Sequence, residues 1–177
     1  MLSNNCKELP LVISLQIVKI PIERTRVLRE NIKQIEKNAN VKLSIEEENV
    51  IIEGDPYNEW RAVDVIKAIG RGFPVNSALK LLNDEYILKI INLKEIFPRE
   101  NQRRRYLARI IGTRGKVKKK LEEITGAEIC IYGNTVSVIG RLNEAALAEK
   151  AVNLIIKGLG HSSVYFIIQK EKMRMLE

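Results

Sequence analysis

The chain has 177 residues, is 45% hydrophobic and carries a formal net charge of +8. That length holds one ordinary domain or two small ones, and that apolar content is enough to build a core. The longest apolar runs fall far short of a bilayer span, and no basic stretch followed by a long apolar one opens the chain. Neither a membrane helix nor a signal peptide is therefore expected, and the cytoplasm is the expected location.

The charge is unevenly placed. Residues 1–98 hold 14 Lys and Arg against 14 Asp and Glu, whereas residues 99–177 hold 16 against 8. Between positions 99 and 120 stand ten cations, Arg99, Arg103, Arg104, Arg105, Arg109, Arg114, Lys116, Lys118, Lys119 and Lys120, beside one acid, Glu100. Such a cluster marks a surface for a polyanion.

Residues 1–12 have no periodicity and read as a flexible tail. A β-branched run over 14–20 stops at Pro21 and predicts a strand. Val27, Leu28, Ile32 and Ile35 give a helical face over 24–37, with a candidate break near 29–31. Val41–Ile45 and Val50–Glu53 alternate around a turn and form a hairpin. Asp55-Pro56 then opens a helix in the favoured order of N-cap carboxylate and first-turn proline, and Gly70 is the expected C-terminal cap. A short amphipathic helix is expected over 75–82, a strand from Tyr86 to Ile91, and a basic helix from Arg99 to Ile110.

Next comes Ile110-Ile111-Gly112-Thr113-Arg114-Gly115, leading into a helix whose apolar positions Val117, Leu121 and Ile124 recur at i, i+4 and i+7. Glycines without a Cβ let backbone N–H groups approach a sugar-phosphate chain, and the following helix N-terminus adds positive partial charge. Glu128–Tyr132 and Thr135–Ile139 alternate around Gly133-Asn134 as a second hairpin. A helix is expected from Leu142 to Lys157, and a helical tail over 161–175.

Superposed with an offset of 86 residues, the halves agree: Ile35 falls on Leu121, Leu43 on Ile129, Ile45 on Ile131, Val50 on Val136, Ile52 on Val138 and Gly54 on Gly140. The fold class that follows is α+β, two tandem type I KH-like modules of pattern βααββα. Residues 13–83 form the first and 84–177 the second, which carries the helical tail. Residues 24–31 of the first copy contain no glycine and are shortened, so that module is degenerate and has no GxxG clamp. Gly70-Arg71-Gly72-Phe73 is no replacement, because its glycines are two apart and follow a helix.

A KH module holds about four nucleotides of single-stranded nucleic acid over its GxxG loop. The candidate RNA-binding residues are Arg109, Ile110, Ile111, Gly112, Thr113, Arg114, Gly115, Lys116, Lys118, Lys119, Lys120, Ile129 and Ile131, the cations for phosphate and the isoleucines for bases. No catalytic residue, cofactor or metal site is expected: His161, the single histidine, lies far from the loop, and Cys6 and Cys130 lack ligand spacing and read as free thiols.

The two modules, the stretch Ile66–Phe73, the run Arg109–Gly140 and the segment Gly160–Tyr165 together resemble the archaeal KH-domain rRNA-binding proteins related to the eukaryotic assembly factor partner of Nob one. The resemblance implies binding near the 3′ end of small-subunit rRNA during ribosome assembly, with the clamp at Gly112–Gly115. It also implies a ribosome-assembly or translation-initiation protein as partner, and no membrane. Two alternatives stay open: a protein-interaction scaffold, for which the neutral first module is suited, and a general single-stranded nucleic-acid binder acting in translation.

Overall fold

The computed structural model describes residues 16–176. The expected tail at 1–12, Cys6, and the first two residues of the expected strand at 14–20 lie outside this range. The chain runs β1 (Gln16–Lys19), α1 (Ile22–Ala39), β2 (Val41–Glu46), β3 (Asn49–Gly54), α2 (Pro56–Gly70) and α3 (Val75–Ala78), then a 3-10 turn at Leu79–Leu82. It continues with β4 (Tyr86–Asn92), α4 (Leu93–Ile96), α5 (Glu100–Ile111), a second 3-10 turn at Thr113–Gly115, α6 (Lys116–Thr125), β5 (Glu128–Tyr132), β6 (Thr135–Arg141), α7 (Leu142–Ile156) and α8 (His161–Leu176). Two antiparallel sheets result, ordered β1-β3-β2 and β4-β6-β5.

The repeat extends to individual hydrogen bonds. Leu43 pairs with Ile52 in the first sheet and Ile129 with Val138 in the second, both at the offset of 86. The Glu36 carboxylate accepts the Leu43 N–H at 2.9 Å, and Glu122 accepts the Ile129 N–H at 2.8 Å. In each copy a helical carboxylate thus satisfies an outward-facing donor of the strand that follows.

The first copy differs from the second by a deletion. Val18 opposes Val50 where Ile91 opposes Val136, so the first strands are offset by 73 residues rather than 86 and the first copy is thirteen residues shorter there. One continuous helix, α1, fills the space, with no break at 29–31. The observed pattern is βαββα where βααββα was expected, so the degeneracy consists of a missing helix together with its loop.

Asp55 caps α2 as expected, its Oδ1 accepting the Tyr57 N–H at 3.0 Å. Gly70 is not the cap. It is the last, buried residue of α2, and a Cβ on it would stand 2.7 Å from Ile20 Cγ2, so it is small because α2 passes close to Ile20 and Pro21, just after β1.

The two cores meet on the second sheet. Val136, Val138, Ile129 and Ile91 face α5, α6 and α7 in one cluster, while Ile139, with half-buried Tyr86, Leu88 and Cys130, joins the core of the first copy. Residues 135–140 of β6 are consequently all buried. Polar ties border this face: Lys80 pairs with Glu128, and the Tyr132 hydroxyl donates to Glu23 Oε2 at 2.6 Å. Burial resists ionisation of Glu128, but hydrogen bonds from Lys80 and Ser77 and the charges of Lys80 and Lys118 outweigh it and hold the carboxyl below its ordinary range. Its contribution is therefore present above the ordinary carboxylate pKa and is lost as pH falls through the lowered one.

Ile139 is 1% exposed and belongs to both halves at once, by chain to the second and by packing to the first. Ile139→Ala should cost about 2–5 kcal/mol, the range for truncating a buried isoleucine. Urea unfolding followed by far-UV dichroism should show one shifted transition, whereas two separated transitions would mean that the halves unfold independently.

Candidate nucleic-acid interface

α5 ends at Ile111, where the Gly112 N–H donates to the Ala108 carbonyl at 2.8 Å. The chain then makes a single 3-10 turn, closed by the Gly115 N–H on the Gly112 carbonyl at 3.1 Å, and enters α6. The two glycines serve different ends. Gly112 adopts φ 70°, and a Cβ there would stand 2.3 Å from Val117 Cγ2, so its smallness lets the turn close onto the core. Gly115 also has positive φ, at 74°, but nothing lies within 4 Å of where its Cβ would be. The outer side of Gly115 is open to an approaching ligand. Arg114 between them is held left-handed at φ 55°, ψ 30°, a conformation that costs about 1–3 kcal/mol in a non-glycine residue.

The ten cations of the basic run fall into three groups. Arg109 is not a free phosphate contact: its guanidinium donates to the carbonyls of Ile155 at 3.2 Å, Gly158 at 3.4 Å and Leu159 at 2.7 Å, which close the end of α7. Arg103 is similarly committed to the Phe97 and Pro98 carbonyls and to Asn134 Oδ1. Lys118 and Lys120 are paired, with Glu122 at 2.9 Å and Glu123 at 3.0 Å, and Arg104 reaches Glu100 at 4.0 Å. Arg99, Arg105, Arg114, Lys116 and Lys119 are exposed. Arg114 and Lys116 flank Gly115, and Thr113 is exposed with them.

The isoleucines divide as well. Ile110 is fully buried and belongs to the core rather than to a binding surface, because α5 turns it toward α6 and the sheet. Ile111, 38% exposed, lines a groove of about 450 Å³ together with Phe73, Pro74, Lys118, Glu122, Glu128, Ile129, Cys130 and Ile131. Ile129, at 2% exposure, contributes only to the floor, and Ile131 is half-buried. β5 is an edge strand, and the capture of the Ile129 N–H by Glu122 shows that positions 129 and 131 turn their main-chain groups outward, as alternate residues of an antiparallel ladder do. The groove thus offers apolar walls beside a strand edge that no other strand pairs and on which Glu122 holds the Ile129 N–H, and burial raises the Cys130 thiol above its ordinary range.

Phe73, Pro74, Glu122, Glu128 and Cys130 were not among the expected binding residues. Glu122 carried a signal in sequence, its 86-residue match to Glu36. Lys118 departs from a simple phosphate role, since it lines the groove with Glu122. His161 is a packing residue, with Nε2 3.0 Å from the Arg109 carbonyl. Among the described residues no group of three or more His, Cys, Asp or Glu side chains is placed to hold a metal ion, and no helix is long and apolar enough to cross a membrane.

A model of the eukaryotic-type KH domain, KH-domain type I, matches residues 87–173. A KH domain-containing protein of Methanocaldococcus jannaschii is 36% identical over 172 residues, covering 92% of this chain and 76% of that protein. This chain belongs to the archaeal KH-domain family related to Dim2p and Pno1. The RNA-binding protein PNO1 of Oryzias latipes, a eukaryotic relative, is 27% identical over 173 residues, covering 90% of this chain and 71% of that one. The crystal structure of an a/eIF2α–aDim2p–rRNA complex from Pyrococcus horikoshii contains a chain of 34% identity that superposes with a TM-score of 0.83, over 93% of this chain and 97% of that one. The tandem-KH architecture of the family is therefore the architecture of this chain.

Arg109→Ala should lower stability by about 2–3 kcal/mol, since it strands carbonyls that a charged donor now satisfies. Thermal melting should shift, while RNA affinity measured well below the melting temperature stays within about twofold. A variant of unchanged melting temperature and lost affinity would return Arg109 to the binding surface.

Proposed function

We propose that this chain is a non-catalytic single-stranded RNA-binding protein of small-subunit ribosome assembly, that its ligand lies near the 3′ end of the rRNA, and that it works in the cytoplasm. One observation carries the reading: an open GxxG turn with exposed Arg114 and Lys116 follows directly on Ile111, which lines an apolar groove along the edge strand β5. Phosphates would lie over Gly112–Gly115 and the α6 N-terminus, with bases turned toward Ile111, Ile129 and Ile131. The family supports the ligand, since the Pyrococcus horikoshii relative was crystallised with rRNA. The same complex contains a/eIF2α, so a translation-initiation protein is the expected protein partner. We assign the clamp to residues 84–177, and to residues 13–83, which have no loop, the support of the second module and a surface for that partner.

Arg114→Asp combined with Lys116→Asp should weaken binding of single-stranded RNA by more than about tenfold, because two phosphate attractions become repulsions, while thermal melting holds. Filter binding at fixed salt measures the loss. An unchanged affinity would remove the GxxG turn from the mechanism.

The sorting of cations also sets the salt dependence. With Arg103 and Arg109 committed internally and Arg104, Lys118 and Lys120 paired with glutamates, the five remaining cations Arg99, Arg105, Arg114, Lys116 and Lys119 give an expected slope of log K against log salt of roughly −3 to −4, from about −0.7 per single-strand phosphate contact. Lys119→Gln should reduce that slope by about 0.7 and weaken all sequences equally, whereas Lys118→Gln, inside the groove, should change the ranking of sequences. A salt titration of both variants on several homopolymers tests this, and equal behaviour of the two would place Lys118 among the phosphate contacts.

A further inference from the structure

We propose that the RNA groove is a composite of both modules, in which the linker Gly72-Phe73-Pro74 of the first module forms a wall and Pro74 packs against a nucleobase. The inference rests on the RNA-binding reading above and adds the residues that complete the site. Those residues come from the copy that lost its own clamp.

The linker is held against β5 by the same packing that joins the two modules. A Cβ on Gly72 would lie 3.0 Å from Cys130 Sγ and 3.2 Å from Tyr132 Cβ, so the main chain at Gly72 runs directly over the outer strand. Phe73 is 2% exposed and anchors the segment in the first core, while Pro74 beside it is exposed. Arg24 fixes the path from below, its Nε donating to the Ile69 carbonyl at 2.9 Å and its Nη2 to the Phe73 carbonyl at 3.0 Å. Lys80 on Glu128 and Tyr132 on Glu23 tie the two sides of the junction.

Two consequences follow from a wall built this way. Its polar atoms are partly spent, since Arg24 occupies the Phe73 carbonyl and proline has no N–H, so the surface Pro74 offers is an apolar ring suited to a base face rather than to phosphate. Its position is set before binding, so little conformational freedom is lost when a base arrives. Across the groove stand Ile111 and Lys118, and at its floor Ile129 and Ile131. A base entering along the β5 edge would be bounded by residues of both copies.

Photocrosslinking of the full chain tests this directly. The probe is a pool of short single-stranded RNAs, each carrying one 4-thiouridine at a randomised position, and the product is digested with trypsin. Cleavage after Arg71 and Lys80 isolates Gly72–Lys80 from the peptides of the GxxG turn and β5. The expected result is label on Gly72–Lys80 as well as on those peptides. Label on the turn and β5 with none on Gly72–Lys80 would overturn the composite groove and leave the RNA-binding reading standing. No label on any peptide, with no retention at low salt, would overturn both.

A pair of substitutions provides the quantitative arm. Pro74 is the N-cap of α3, a position where aspartate is favoured, so Pro74→Asp preserves the helix start while placing a charge on the wall. Asn76→Asp adds the same charge two residues on, at an exposed side chain that reaches Gln34 at 3.3 Å and does not line the groove. RNA affinity should fall about fivefold or more for Pro74→Asp, as for loss of a base contact, and by less than about twofold for Asn76→Asp. Equal effects of the two, or none from Pro74→Asp, would overturn the proposal.

Discussion

The structure depends on one constraint, the burial of β6, the central strand of the second sheet, on both faces. An antiparallel sheet with helices on one side ordinarily leaves the other to solvent, and its strands then alternate between apolar and polar residues. Here the face carrying Tyr86, Leu88, Cys130 and Ile139 is taken into the core of the first copy, and β6 has no solvent side over 135–140. The two modules are consequently a single packed body around β6 rather than beads on a linker. The same constraint brings Gly72 onto β5 and so determines what borders the groove at that strand's edge.

Much of this was legible in the sequence because it depends on local period and on turn chemistry. The hairpins, the Asp55-Pro56 helix start, the glycine turn and the 86-residue repeat each rest on residues close together in the chain. What was not legible depends on partners far away. Thr135 and Ser137 look like the polar positions of a half-exposed strand, yet both are buried, because nothing within β6 reports that another module lies over it. Arg109 and Arg114 are five residues apart and chemically identical, but one is turned into the carbonyls at the end of α7 and the other into solvent. Ile110 and Ile111 are neighbours with opposite fates for the same reason, since a helix turns successive side chains by about 100° and only the packing decides which faces in.

The deletion in the first copy lies between these cases. A shortened segment without glycine was visible, whereas its outcome, one uninterrupted helix, was not. The difference is energetic. A loop between two helices is sustained by specific closures such as Gly112 packed on Val117, and without those residues the continuous helix keeps hydrogen bonds that a break would forfeit.

Electrostatics fits the division proposed above, in which one copy covers and the other clamps. A clamp needs cations exposed near a free strand edge, and a cover must bring its own surface close to that edge without repelling it. Two basic modules fixed rigidly together would meet with like charges at short range, a cost that salt screens only beyond about 10 Å. The first half carries equal numbers of acids and bases, and at the junction it offers Glu23 to Tyr132 and Lys80 to Glu128, so each contact has its complement. Its neutrality leaves the field around Arg114 and Lys116 unopposed and leaves that surface to a polyanion. The module that covers β6 is thus also one whose charges balance, and it covers the sheet without adding net charge beside the exposed cations of the second.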